Sequence, residues 1–161
     1  MDAREKEGLD HAKRTSALQL LFRVARRMNE LGVERVRQTP GMENLRPAHT
    51  NLFPHIDLEG TRLTEIAGLA GISKQAVGPL VDELVEMGVV ERIPDPRDGR
   101  AKLIRFAVHE GEHSILKGLA VLQSLEGEIA SSLGAREIER FKKTLLRLED
   151  WLDEETGPPR I

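Results

Sequence analysis

Five cationic side chains gather between residues 92 and 105: Arg92, Arg97, Arg100, Lys102 and Arg105, against only Asp95 and Asp98. The stretch ERIPDPRDGRAKLIRF sets them around a turn rich in Pro, Asp and Gly, in a chain whose formal net charge is −3. A local cationic excess on a ribbon suits a phosphate backbone, because binding depends on where charge sits rather than on its total. An arginine at the tip of such a ribbon can enter a narrow minor groove, where negative potential concentrates. A second group of capable residues precedes it. Ser73, Lys74, Gln75 and Ala76 open a stretch of helical apolar spacing. A Gln can make two bonds to adenine, and a Lys can reach guanine acceptors or a phosphate. A Ser at a helix start can donate to a phosphate beside the positive end of the helix dipole. Singly, each residue reads equally well as a cap, a solvated helix position or a solubilising hairpin. A reading helix followed directly by a basic hairpin points to double-stranded DNA.

These groups must be held by specific elements. Residues 11 to 32 predict a helix, with Leu18, Leu21, Phe22, Ala25, Met28 and Leu31 at spacings of three and four. Residues 33–44, with Pro40-Gly41, read as a connection with room for some helix at its start. Residues 45–57 predict a second helix that Pro47 starts and Pro54 kinks or ends. Thr64 is the expected cap of a short helix closed by Gly71, with Ile72 as an apolar plug. Ser73 is the expected N-cap of the next, which carries Val77, Leu80, Val81, Leu84 and Val85 and stops at Gly88. Helix, short Gly-containing turn and helix is the helix-turn-helix signature. Val89–Ile93 and Lys102–Val108 predict two strands around the loop PDPRDGRA. Residues 110–133 and 135–155 predict long amphipathic helices. Gly78-Pro79 lies inside the reading helix, where the proline cannot donate to the Gln75 carbonyl, so a kink or local loosening is expected.

The fold class is therefore mainly α with a small two- to three-stranded wing: a winged helix-turn-helix with a helical dimerisation region. The expected divisions are an N-terminal helix and connection (1–44), a winged helix-turn-helix domain (45–108) and C-terminal helices (109–161). The chain has 161 residues, 39% hydrophobic and 32% charged, with no Cys and no Tyr. The absence of Cys removes thiol nucleophiles, disulfides and Cys-based zinc sites, and suits a reducing cytoplasm, the expected location. There is no Gly-rich phosphate loop and no G-x-S-x-G elbow, so no enzyme and no cofactor are expected. The charged N-terminus MDAREKEGLDHAKR lacks the apolar core of a signal peptide, and no run of about 18 apolar residues exists, so no membrane partner is expected.

The apolar residue before SKQAV, then LVDELVEMG, then ER and DPRDGRA together resemble the MarR family of bacterial transcriptional regulators. The resemblance spans nearly the whole chain. It implies an obligate homodimer on a pseudo-palindromic operator, usually a repressor released by a small-molecule effector. By position it implies that Ser73, Lys74, Gln75 and Ala76 begin the recognition helix and that Arg100 is the wing arginine. It also implies that Asp98 is the wing acid that pairs with a nearby arginine. With Arg92, Arg97 and Lys102 these form the expected DNA-binding set. Pro54, Pro79 and the VHEGEH run depart from the family pattern.

Dimerisation also follows from the residues, because the first and last helices carry apolar stripes with too little remaining chain to cover them. The alternative is a monomer whose terminal helices fold onto the winged domain. His109 and His113 lie four apart, and His49 could approach them. That spacing suits a metal, and a zinc-responsive regulator of the same fold is the alternative to no metal. A winged-helix interaction module without DNA binding is a further alternative.

Overall fold

The computed structural model of the chain describes residues 2–107 and 115–157. The chain is mostly helical, with one small antiparallel sheet. Its elements run α1 (Ala3–Thr15), α2 (Ala17–Arg37), α3 (Pro47–Thr50), a 3-10 turn (Phe53–His55), β1 (Thr61–Arg62), α4 (Leu63–Leu69) and α5 (Lys74–Glu86). They continue through β2 (Val90–Asp95), β3 (Asp98–Phe106), α6 (Ile115–Leu133) and α7 (Ala135–Thr156).

The winged core is built around α5. Val77, Val81 and Leu84 fall on one helical face and are fully buried, together with Leu52 and Ile66 and, at 1–2% exposure, Val89, Val90 and Ile104. That leaves Lys74, Gln75, Ala76, Pro79 and Asp82 on the solvent side of α5. The sheet has the order β1-β3-β2. β2 and β3 pair from Val90↔Phe106 to Asp95↔Asp98, and β1 adds only Thr61↔Ile104 and Arg62↔Leu103.

The turn between α4 and α5 follows from Gly71 at φ +67°. Its N–H donates to the Gly68 carbonyl at 3.3 Å and that of Ile72 to the Ala67 carbonyl at 3.1 Å, the bonding of a Schellman ending. Gly88 ends α5 in the same way, with Gly88 N–H donating to Val85 and Val89 N–H to Leu84. Ser73 then caps α5, its hydroxyl accepting the Ala76 N–H at 3.2 Å.

Several local expectations are corrected. The first helix is two, because Ser16 caps a new start by accepting the Gln19 N–H. α2 runs on to Arg37, burying Val33 and Val36. The helix expected at 45–57 reduces to α3 and a 3-10 turn, since Pro47 and Pro54 leave room for only one turn each. Thr64 does not cap α4. The helix starts at Leu63, two residues before the start a Thr64 cap would set, and the Glu65 carboxylate accepts the Arg62 N–H at 3.1 Å. Ile72 is 40% exposed and so is no plug. α5 continues as one helix through Pro79. The hairpin loop is a tight two-residue turn, because both strands extend into the PDPRDGRA segment.

Candidate nucleic-acid interface

The start of α5 and the tip of the β2–β3 hairpin present the expected side chains outward. Ser73, Lys74, Gln75 and Ala76 form the exposed first turn of α5. Pro79 lies one turn further along the same exposed side. Having no N–H, it leaves the Gln75 carbonyl without its helical donor.

The hairpin sorts its cations into two kinds. Arg92 is ion-paired to Asp82 of α5 at 2.6 Å, which ties the wing to the helix, and Arg105 is paired to Glu91 across the strands at 2.8 Å. Arg97, Arg100 and Lys102 are exposed; the Arg97 charge acts on Asp95, and among the described residues no ion pair is formed by Arg100 or Lys102. Asp98 is exposed as well. One of its oxygens accepts the Arg100 N–H at 3.1 Å, and the other lies 4.0 Å from Arg62.

The strongest wing pairing belongs to a different acid from the one expected. Asp95 is 4% exposed. One oxygen accepts the Arg97 N–H at 2.8 Å, and the other accepts Nε of Arg62 at 2.7 Å. The Arg97 amide and then the Arg62 guanidinium hold the Asp95 carboxyl below the usual carboxylate range. The hairpin tip is thus fastened at its base to β1. The sequence reading passed over Arg62 because a two-residue strand has no periodicity to reveal it.

A second unexpected group couples α3 to α5. His49 is fully buried, with its Nδ1 accepting the Arg46 N–H at 3.1 Å. The ring proton therefore sits on Nε2 and donates to Glu83 at 2.9 Å. Arg46 also binds Glu83. Both ring nitrogens are engaged, so His49 has none to offer a metal in this arrangement. His109 and His113 lie outside the described residues. Among the described residues no His, Asp and Glu side chains cluster as a metal site.

Burial lowers the His49 pKa from 6.5, and the nearby Arg46 charge acts the same way, while Glu83 opposes them. The unfolded chain therefore takes up this proton first as pH falls, so stability is expected to decline below pH about 6.5. His49→Gln should be about 1 kcal/mol less stable at pH 8 and show a flatter decline between pH 6.5 and 5, read by urea unfolding across pH. An unchanged slope would assign that decline to other groups.

The sequence model of the MarR family matches residues 45–101. A search of curated proteins returned no match. Among solved structures, the transcriptional repressor CouR bound to a 23-mer DNA duplex is similar at 20% identity and a TM-score of 0.63, over 86% of this chain and 95% of that one. CouR from Rhodococcus jostii RHA1 bound to p-coumaroyl-CoA is similar at 25% identity and a TM-score of 0.60, over 84% and 92%. Apo MarR from E. coli is similar at 21% identity and a TM-score of 0.63, over 83% and 96%.

Proposed function

We propose that this chain, which matches the MarR family over residues 45–101 and has the winged-helix fold of those regulators, is a sequence-specific DNA-binding transcriptional regulator. In this reading it grips a pseudo-palindromic operator as a homodimer and acts as a repressor that a small molecule releases. The observation that carries it is the placement of charge. Lys74 on the first turn of α5, and Arg100 and Lys102 on the hairpin, are exposed with no ion pair among the described residues, while the nearby Arg92 and Arg105 are paired. Unpaired cations can meet a phosphate backbone without giving up a partner, whereas paired ones must first release one. Residues 45–108 would meet DNA, with α5 in the major groove. Residues 1–44 and 109–161 would form the dimer, setting two reading helices about 34 Å apart. No described helix is long and apolar enough to cross a membrane.

Selection from a genomic DNA library at about 150 mM salt tests this. An enriched inverted repeat with half-sites one turn apart is expected. Retention without a shared sequence would mark a non-specific binder, and no retention would favour an interaction module. On the selected operator, Arg100→Ala is expected to weaken binding at least about tenfold and evenly, the mark of a contact made outside the base edges. Gln75→Ala should instead relax preference at one position per half-site. Fluorescence anisotropy on operator variants separates the two, and an unchanged affinity for Arg100→Ala would remove it from the wing contact.

A further inference from the structure

Two consecutive residues inside α5 work against its helix, and nothing in the chain asks for either. Gly78 and Pro79 sit in the second turn of a helix that runs unbroken from Lys74 to Glu86. Glycine weakens a helix interior, and proline weakens it most of all. Gly78 keeps a negative φ, and a Cβ there would meet nothing within 4 Å beyond its own stretch of helix. Neither backbone conformation nor packing therefore excludes a side chain at 78. Pro79 is exposed and lies four residues from Gln75 on the same face, and Asp82, three residues further on, holds Arg92 of the hairpin. The pair thus lies between the first turn of α5 and the wing. Its effect falls on one atom. In a helix the Gln75 carbonyl takes its hydrogen bond from the N–H of residue 79, which a proline lacks. The side chains that reach a helical carbonyl are those three and four residues on, as serine and threonine do. Here they are Gly78 and Pro79, and neither has a donor. The Gln75 oxygen is left as an acceptor without its helical donor, on an exposed face, with no side chain at 78 in front of it.

We propose that the Gln75 carbonyl reads a base through the main chain, accepting an exocyclic amino group, N6 of adenine or N4 of cytosine, in the major groove. This rests on the DNA-binding reading above and deepens it by naming the chemical group that one position of the operator must offer. In the major groove adenine and cytosine present amino donors, whereas guanine and thymine present the O6 and O4 acceptors. A keto oxygen opposite the carbonyl leaves two acceptors facing each other unpaired, so the position prefers amino over keto bases. The bare Gly78 lets the base edge come close to the helix backbone. Reading by the Gln75 side chain is separate, since Gln75→Ala keeps this carbonyl and with it this preference.

Pro79→Ala tests this with a smaller residue that returns the missing N–H. Its melting temperature without DNA is expected to rise by several degrees, because the helix regains a bond. In selection from a library of randomised half-sites, the parent is expected to favour amino over keto bases about tenfold at one position per half-site. Pro79→Ala should bring that preference within about twofold while the other positions keep theirs. Gly78→Ala, which the fold has room for, is expected to melt no lower than the parent yet to bind the parent's operator about tenfold more weakly. Identical base preferences in Pro79→Ala and the parent, an affinity lost evenly at every position, a lowered melting temperature in Pro79→Ala, or undiminished operator binding by Gly78→Ala would each overturn the proposal. A parent that enriches no sequence would overturn the regulator reading and this inference with it. A parent that enriches a repeat whose preferences are unchanged by Pro79→Ala would overturn this inference alone.

Discussion

Phe141→Glu combined with Leu145→Glu is expected to convert the protein from a dimer to a monomer and to lower operator affinity about a thousandfold. The two residues lie four apart on α7, on one face, and are 50% and 38% exposed in the isolated chain. They continue a wider apolar surface that includes Leu18 and Phe22 of α2 and Leu119 and Trp151 of α6 and α7, all between 47% and 64% exposed. A surface of that kind on a chain meant to stand alone in water would promote association. Polar substitutions at such exposed positions change the stability of a lone chain little. The experiment therefore divides cleanly. If the α7 face is bare in solution, the double variant behaves like its parent. If it is an interface, each subunit buries two carboxylates against apolar surface and the dimer separates. Loss of one half-site from a two-site grip removes the avidity of the second contact, which sets the size of the expected drop. Sedimentation would read the mass, and anisotropy at nanomolar protein would read the affinity. A parent that sediments as a monomer would return the monomer alternative, with the terminal helices folded on their own domain, and a variant that stays dimeric with undiminished affinity would place the interface elsewhere.

What could be read in advance depended on how local the determinant was. Gly71, Gly88 and Ser73 act within one helical turn, so the helix-turn-helix was legible from sequence, and the bonds around them are those expected. The apolar spacing of Val77, Val81 and Leu84 likewise predicted the buried face of α5. Gly32, within α2, carries no local sign of its role. In the fold it is a packing site, where the missing side chain admits Leu122 of α6. The two polar clusters that brace the candidate interface were not legible at all. His49 and Glu83 are 34 residues apart, and Arg62 and Asp95 are 33 apart. No periodicity reports such a pair. The family pattern drew attention to Asp98, which is exposed and orients the Arg100 backbone, while the buried acid three residues earlier was counted only as a charge.

Asp95 is where that omission has its largest consequence. Asp95→Ala is expected to reduce operator affinity about a hundredfold without changing the oligomeric state, although the side chain is buried. The carboxylate joins two parts of the wing: it accepts from the Arg97 amide at the turn and from the Arg62 guanidinium of β1. Removing it leaves a two-residue turn with an unsatisfied amide and an arginine without its partner. The tip cations then sample many orientations, and ordering them on DNA costs affinity they did not cost before. Asp95→Asn should fall between the two, since an amide oxygen can still accept from Arg97 but the charge opposite Arg62 is gone. The decisive comparison is the double variant. If Asp95 acts by holding the wing, adding Arg100→Ala to Asp95→Ala should weaken binding by much less than the tenfold it costs in the parent, because the contact is already lost. Full additivity, or an Asp95→Ala affinity within twofold of the parent, would show instead that the tip is ordered by the DNA itself and that the Asp95–Arg62 pair serves only the stability of the sheet.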